Sequence, residues 1–425
     1  MLENKIALSN GVDGLFVKNN RFNTTLISFN FFLPLKKETV AVNALLPFML
    51  TTSSKKYPDF SKLNLKLSRL YGATLSASSE KIGDYQMLKM AVSVIGDKYT
   101  LDDESLTFEA CELLSELIFE PNVENGAFLD ADVEREKRKA IEHIQGEMSE
   151  KRIYAKQRLI EEMYKNEPYG LSKCGTVEQV EKITGQELFA AWENMLISAY
   201  CFVDVVSNAL PVGFFDEISN RFSSIQRKDV TVMGKTEPTK QAQKVNTVTE
   251  RLDVAQGKLV MGFSMEKAKG EDAQLPALVM TDIFGGAPYS RLFTNVREKL
   301  SLCYYCAASS VRIKGLLTVD SGVEEANVDK AQKEILNQLE IVKNGEFTDF
   351  EYESSLKGIA DSLRTYNDSQ ELLDSWYSVK AISGNFVSPD ETADKIATIT
   401  KEQIIAAAKT VSLHTVYRLL PKEVK

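Results

Sequence analysis

The sequence predicts an α+β protein of two homologous domains, each an antiparallel or mixed sheet with helices packed on it. Three observations carry this. At 425 residues the chain exceeds one ordinary hydrophobic core, and cores that stop growing near 250–300 residues imply two domains of roughly 200 residues. Strand-like runs sit side by side with turn residues between them, as hairpins do, instead of alternating one by one with helices. The pattern also restarts past the midpoint. Leu75-Ser76-Ala77-Ser78-Ser79 resembles Cys306-Ala307-Ala308-Ser309-Ser310, each after a leucine-bearing helix and before a turn and an apolar strand.

Taken in order, Asn23 to Leu33 alternates loosely and is rich in Phe, Ile and Thr, which predicts a strand. Val40 to Leu50 predicts a strongly apolar helix with Pro47 inside it, and Thr51 to Pro58 a loop. Asp59 to Leu70 predicts a leucine-bearing helix capped by Asp59 or Ser61. Ala73 to Ser79 and Tyr85 to Val94 read as paired strands around Gly83-Asp84. Leu101 to Phe119 predicts a helix with Leu106, Ala110, Leu113 and Ile118 inward, and Asp130 to Tyr164 one long charged helix. The loop Asn166 to Gly170, a helix from Gln186 to Leu196 and a strand from Tyr200 to Val206 complete a first domain, 1–225. Residues 226–243 fall in hydrophobicity and read as a linker. The second domain, 244–425, opens with a strand at Lys258 to Ser264 and a helix at Gln274 to Phe284. A strand at Gly315 to Gly322 and helices at Asn327 to Lys343 and Asp349 to Leu363 follow.

Composition narrows the function. Hydrophobic content of 44% and charged content of 26% are those of a soluble globular protein. A net charge of −9 argues against a general nucleic-acid binder. The N-terminus lacks an apolar signal core, and the apolar run Leu26 to Leu35 is short and broken by Ser28, Asn30 and Pro34, so a cytoplasmic protein with no membrane span is expected. Five cysteines without a secretory signal predict free thiols. Cys303-Tyr304-Tyr305-Cys306 matches C-x-x-C. On a regular strand, however, residues three apart face opposite sides, and no second pair completes a zinc knuckle, so neither redox nor metal chemistry is expected there.

The chemically pointed stretch is Gly285 to Cys306, a glycine pair, a short helix and a strand. An α-helical wheel puts Phe293, Val296, Leu300 and Arg297 on one inward face, with Arg291, Glu298 and Lys299 outward. A buried arginine needs a partner or a cleft. Tyr304 follows seven residues later with a hydroxyl that needs a partner if buried. On spacing alone, the pair could instead tie helix to strand, with the arginine on a carboxylate and the tyrosine in the core.

The motif G-G-x-x-x-S-R-L-F-x-x-V-R-E-K-x-x-L-x-Y, from Gly285 to Tyr304, resembles the second-domain signature of the insulinase-like M16 metallopeptidases, and the resemblance extends over nearly the whole chain. Lys55-Lys56-Tyr57-Pro58 and the Asn166 to Gly170 loop resemble first-domain landmarks. The runs Ala44-Leu45-Leu46-Pro47 and Glu161 to Tyr169 are similar to bacterial members associated with elongation factor P 5-aminopentanol modification. The resemblance implies an M16-like half-clamshell of two such domains. Active members carry an inverted zinc motif, H-x-x-E-H, on the first-domain helix. Here Ala44-Leu45-Leu46-Pro47-Phe48 stands in its place, and the chain has only two histidines, His143 and His414. His143 and Glu142 fall near the family's third-ligand position with nothing to complete. In heterodimeric members the zinc-free subunit lends an arginine and a tyrosine, seven apart, to its partner's site. The resemblance therefore implies that Arg297 and Tyr304 act in trans on a peptide substrate, beside a zinc-bearing M16 subunit of similar length, with no cofactor in this chain. The alternative is a non-enzymatic peptide-binding or assembly module that kept the fold.

Overall fold

The computed structural model describes residues 5–101, 104–266 and 268–422. Packing divides them into two units, neither of which is one continuous length of chain. The first comprises the chain up to Gln145, Leu171–Lys235 and Thr365–Ser388. The second comprises Gly146–Gly170, Thr236–Arg364 and the chain from Pro389 onward.

The first unit is built on β1 (Ile6–Ser9), β2 (Val12–Lys18), β3 (Thr24–Pro34), β4 (Thr74–Ile82), β5 (Tyr85–Ile95) and, after a short ribbon of β6 (Val123–Glu124) and β7 (Ala127–Phe128), β8 (Tyr200–Ser207). The six long strands run in the order β1-β2-β8-β3-β5-β4, parallel only between β2 and β8. Alternation on β3 sends Ile27, Phe29, Phe31 and Leu33 into a core shared with helices Val40–Leu50, Leu106–Phe119 and Gly185–Ser198. Ser28 and Asn30 face the other way. Helix Gln370–Ser383, from far down the chain, lies over them: Ser28 Oγ donates to Asp374, and Lys89 Nζ pairs with the same carboxylate.

The second unit has β9 (Asn246–Leu252), β10 (Gly257–Ser264), β11 (Cys303–Val311), β12 (Leu316–Val323) and β13 (Ser412–Pro421) in the order β11-β12-β10-β13-β9, parallel only between β13 and β9. Strand for strand this repeats β4-β5-β3-β8-β2. The two serine-rich segments matched in sequence, on β4 and β11, occupy the same edge position. Helix Lys151–Met163 covers one face, with Ala155 and Leu159 packed on Val260, Tyr417 and Leu419. A Cβ on Gly262 would stand 2.7 Å from Met163 Sδ, so glycine is what lets the helix lie this close.

The expected helix from Asp130 to Tyr164 is two, Asp130–Ser149 and Lys151–Met163. Glu150 between them is extended, and its carboxylate accepts from Arg152 N at 3.1 Å. The break falls near where the chain passes from the first unit to the second. The helix expected from Leu101 starts at Leu106, where the Asp97 carboxylate accepts from Thr107 N at 2.8 Å; residues 102 and 103 lie outside the described residues. Segment 226–243 has no helix or strand but is fastened, with Arg227 donating to Leu196 O at 2.7 Å and Thr239 N to Lys314 O at 2.6 Å. Among the described residues no helix is long and apolar enough to cross a membrane.

Candidate functional site

The Gly285–Cys306 stretch lies within the second unit. Gly285 lies in a widened helical turn, Asp282–Gly286, pressed against β11. An added Cβ would come within 2.8 Å of Ala308 N, so any other residue would push the turn off the strand. The next helix, Leu292–Lys299, is also wound wide: Leu300 N donates five residues back to Asn295 O at 3.1 Å. Such a helix turns less per residue than an α-helix.

The buried side differs from the expected inward face. Leu292 and Val296 are fully buried, whereas Arg297 and Leu300 face solvent. The arginine that does turn inward is Arg291, which donates to Gln338 Oε1 at 2.9 Å and pairs with Glu351 at 3.4 Å. Among the described residues the Arg297 guanidinium makes no hydrogen bond or ion pair. It rests over the Phe293 ring, 4.4 Å from the centroid.

The helix stops at Ser301, which sits in the left-handed region at φ 51, while Leu302 N closes back onto Val296 O at 3.1 Å. Holding a non-glycine residue there costs about 1–2 kcal/mol. β11 then starts with a bulge. Cys303 opposes Val323 and Tyr305 opposes Gly322, so Tyr304 is an extra residue with no partner. It is 62% exposed, and its hydroxyl donates to Glu324 Oε1 at 3.2 Å. Tyr304 is therefore no core residue, and Arg297 is bound to no carboxylate.

The bulge also overturns the expected geometry of the cysteines. Their partners on β12, Val323 and Ser321, are two residues apart and share a face, so Cys303 and Cys306 share one too. Both are buried and free. Tyr305 goes to the opposite face, beneath the Arg152 guanidinium at 4.4 Å. Arg297, Ser301, Cys303, Tyr304, Glu324 and Asn327 together line an open hollow of about 450 Å³. Glu324, Asn327 and the bulge were not read from the sequence. Gly322 was the available signal, because a Cβ there would meet the Tyr305 ring at 2.6 Å, and a glycine inside a strand marks such a close approach.

In the first unit, the position matched to the zinc motif is filled with core. Ala44, Leu45, Leu46 and Pro47 are buried on helix Val40–Leu50, and Phe48 is 42% exposed. None carries a donor, so these residues do not fit a metal ion. Glu142 and His143 are exposed on helix Asp130–Ser149.

Comparison with known proteins finds relatives of the chain. A family profile described as "Peptidase M16 inactive domain" matches residues 182–359. The "Probable inactive metalloprotease YmfF" of Bacillus subtilis (strain 168) is 32% identical over 417 residues, covering 96% of each chain. The "Uncharacterized zinc protease YmxG" of the same organism is 25% identical over 202 residues, 47% of this chain and 48% of that protein. A solved structure of a conserved protein from Enterococcus faecalis V583, 24% identical, superposes over 99% of both chains with a TM-score of 0.92 and shares the fold.

Proposed function

The chain belongs to the M16 peptidase family as an inactive homologue, and on that premise we propose that it is the zinc-free subunit of a two-chain peptidase. Membership of this inactive group means that the chain holds no catalytic zinc of its own, in keeping with the apolar run Ala44-Leu45-Leu46-Pro47-Phe48. The partner in this reading is an M16 chain of similar length that carries H-x-x-E-H.

The observation that carries the proposal is that the fold makes little use of Arg297 and Tyr304. One guanidinium has no acceptor, one hydroxyl stands on a bulge, and both open on the same hollow. In a shared site, the Tyr304 hydroxyl donates a hydrogen bond to the oxyanion that develops on the scissile carbonyl, and Arg297 holds peptide backbone carbonyl or carboxylate oxygens.

The test is to mix the purified chain with such a partner and follow cleavage of a fluorogenic peptide. The mixture should cleave and this chain alone should not. Arg297→Ala or Tyr304→Phe should lower kcat by about 10²-fold, the usual cost of one oxyanion donor. Full activity of both variants sinks the proposal. A second reading, a peptide-holding module without cleavage, draws on β11 being an edge strand with one side open to main-chain pairing. In that case the chain alone binds peptide, and a zinc chelator leaves binding unchanged.

A further inference from the structure

The hollow is bordered by Cys303, one of two neighbouring thiols that the proposed function does not use. We propose that Cys303 and Cys306 are a reversible dithiol–disulfide pair that clamps the bulge carrying Tyr304.

The argument begins with spacing. Three residues of regular strand span about 10 Å, too long for a disulfide, whose Cα atoms stand about 4.4–6.8 Å apart. Here the bulge fits those three steps opposite only two steps of β12, because Cys303 pairs with Val323 and Cys306 with Ser321. Two steps of strand span about 6.7 Å, which lies at the upper edge of the disulfide range. Both side chains leave the same face of the sheet, so bridging needs no reversal of the strand.

The two thiols are not equivalent. Cys303 borders the hollow and is 8% exposed, while Cys306 is 4% exposed and lies outside the hollow's lining. A hydrogen bond from Cys306, helped by the Arg297 charge, holds the Cys303 thiol below its ordinary value, with burial opposing. The same hydrogen bond, with burial added, pushes Cys306 up. Cys303 is thus the attacking thiol and Cys306 the resolving one.

The co-reactant is a low-molecular-weight disulfide, RS–SR. The Cys303 thiolate attacks one of its sulfurs, forming a mixed disulfide and expelling RS⁻. Cys306 then gives up its proton and attacks the Cys303 sulfur, closing the protein bridge and expelling the second RS⁻. The two protons lost by the protein thiols end on two RSH. Two thiols are oxidised and one external disulfide is reduced. The closed ring contains Tyr304 and Tyr305, so oxidation fixes the bulge in place.

The bridge itself does not rest on the proposed peptidase role; only its consequence for Tyr304 does. The full-length chain is incubated with oxidised glutathione and analysed by intact mass and by peptide mapping. The wild type should lose two hydrogens, show two fewer titratable thiols after denaturation, and yield a Cys303–Cys306 linked peptide that dithiothreitol opens. Cys306→Ser should keep a glutathione adduct on Cys303, and Cys303→Ser should leave Cys306 unmodified. Amide exchange at Tyr304 and Tyr305 should slow in the oxidised wild type by more than about tenfold, the scale on which a local opening is suppressed by little more than 1 kcal/mol. A lasting adduct on wild-type Cys303, or untouched Cys303 and Cys306 while the partly buried Cys174 reacts, overturns the proposal.

Discussion

On the first sheet the cation is carried by a strand and the anion by the covering helix: Lys89 meets Asp374, with side chains 15% and 1% exposed. On the second sheet the arrangement is reversed. Asp320 on β12 meets Arg152 and Lys156 of helix Lys151–Met163 at 2.5 and 3.0 Å, and these cations keep side-chain exposures of 45% and 38%. Both acids are buried, so the difference lies in how far their cations reach water. The first unit fills the position matched to the zinc motif with Ala44, Leu45, Leu46 and Pro47. The second leaves Arg297 and Tyr304 in solvent around an open hollow. The proposed function rests on these two exposed side chains of the second unit.

Four measurements can break or sharpen this contrast. Asp374→Ala takes from the half-buried Lys89 the carboxylate it pairs with and should cost about 3–5 kcal/mol in urea unfolding. Asp320→Ala frees cations that already reach water, so its cost should be nearer 1 kcal/mol; equal losses would erase the distinction. Leu46→Ala, at the old motif position, should cost about 2–5 kcal/mol by opening a cavity in the first core. Its effect on any partner-dependent rate should be confined to the loss of folded protein. Arg297→Ala and Tyr304→Phe should do the opposite, leaving stability within about 0.5 kcal/mol, as exposed substitutions do, while the mixture loses activity.

A further measurement concerns pH. Burial raises the Asp204 carboxyl well above its ordinary value, with the Lys89 charge and a backbone hydrogen bond opposing. A carboxyl raised on folding contributes stability that is intact below its unfolded value, near 4, and is lost as pH rises through the folded value. Asp204→Asn cannot ionise, so its stability relative to wild type should climb between pH 4 and pH 8. A flat difference would show that Asp204 stays charged in the folded chain.

Much of this could be read from the residues. Strand β3, helix Val40–Leu50 and the paired β4 and β5 follow from apolar periodicity and turn residues, because local pattern and burial agree there. The repeat was legible because the two serine-rich edge strands retained their composition. What failed did so for stated reasons. The wheel exchanged Arg291 and Arg297, since it was centred on Phe293, whereas Leu292 and Val296 mark the buried side. The cysteines were placed on opposite faces because alternation was assumed through a strand that carries a bulge at Tyr304. One extra residue is invisible to a period-two rule. β13 and helix Gln370–Ser383, both after Arg364, are held by contacts distant in sequence, and local propensity says little about those.

The traded helices also set a timetable for synthesis. The sheet of the first unit is complete in sequence by Ser207, yet the helix that seats Asp374 on Lys89 is not made until Ser383 has been added. Until then, neither the helix that covers that face nor the carboxylate that pairs with Lys89 has been made. Helix Lys151–Met163 comes early in the chain, and Asp320, the acid it meets, comes later. Each half of the chain thus supplies the helix, and the charges on it, that the other half's sheet requires.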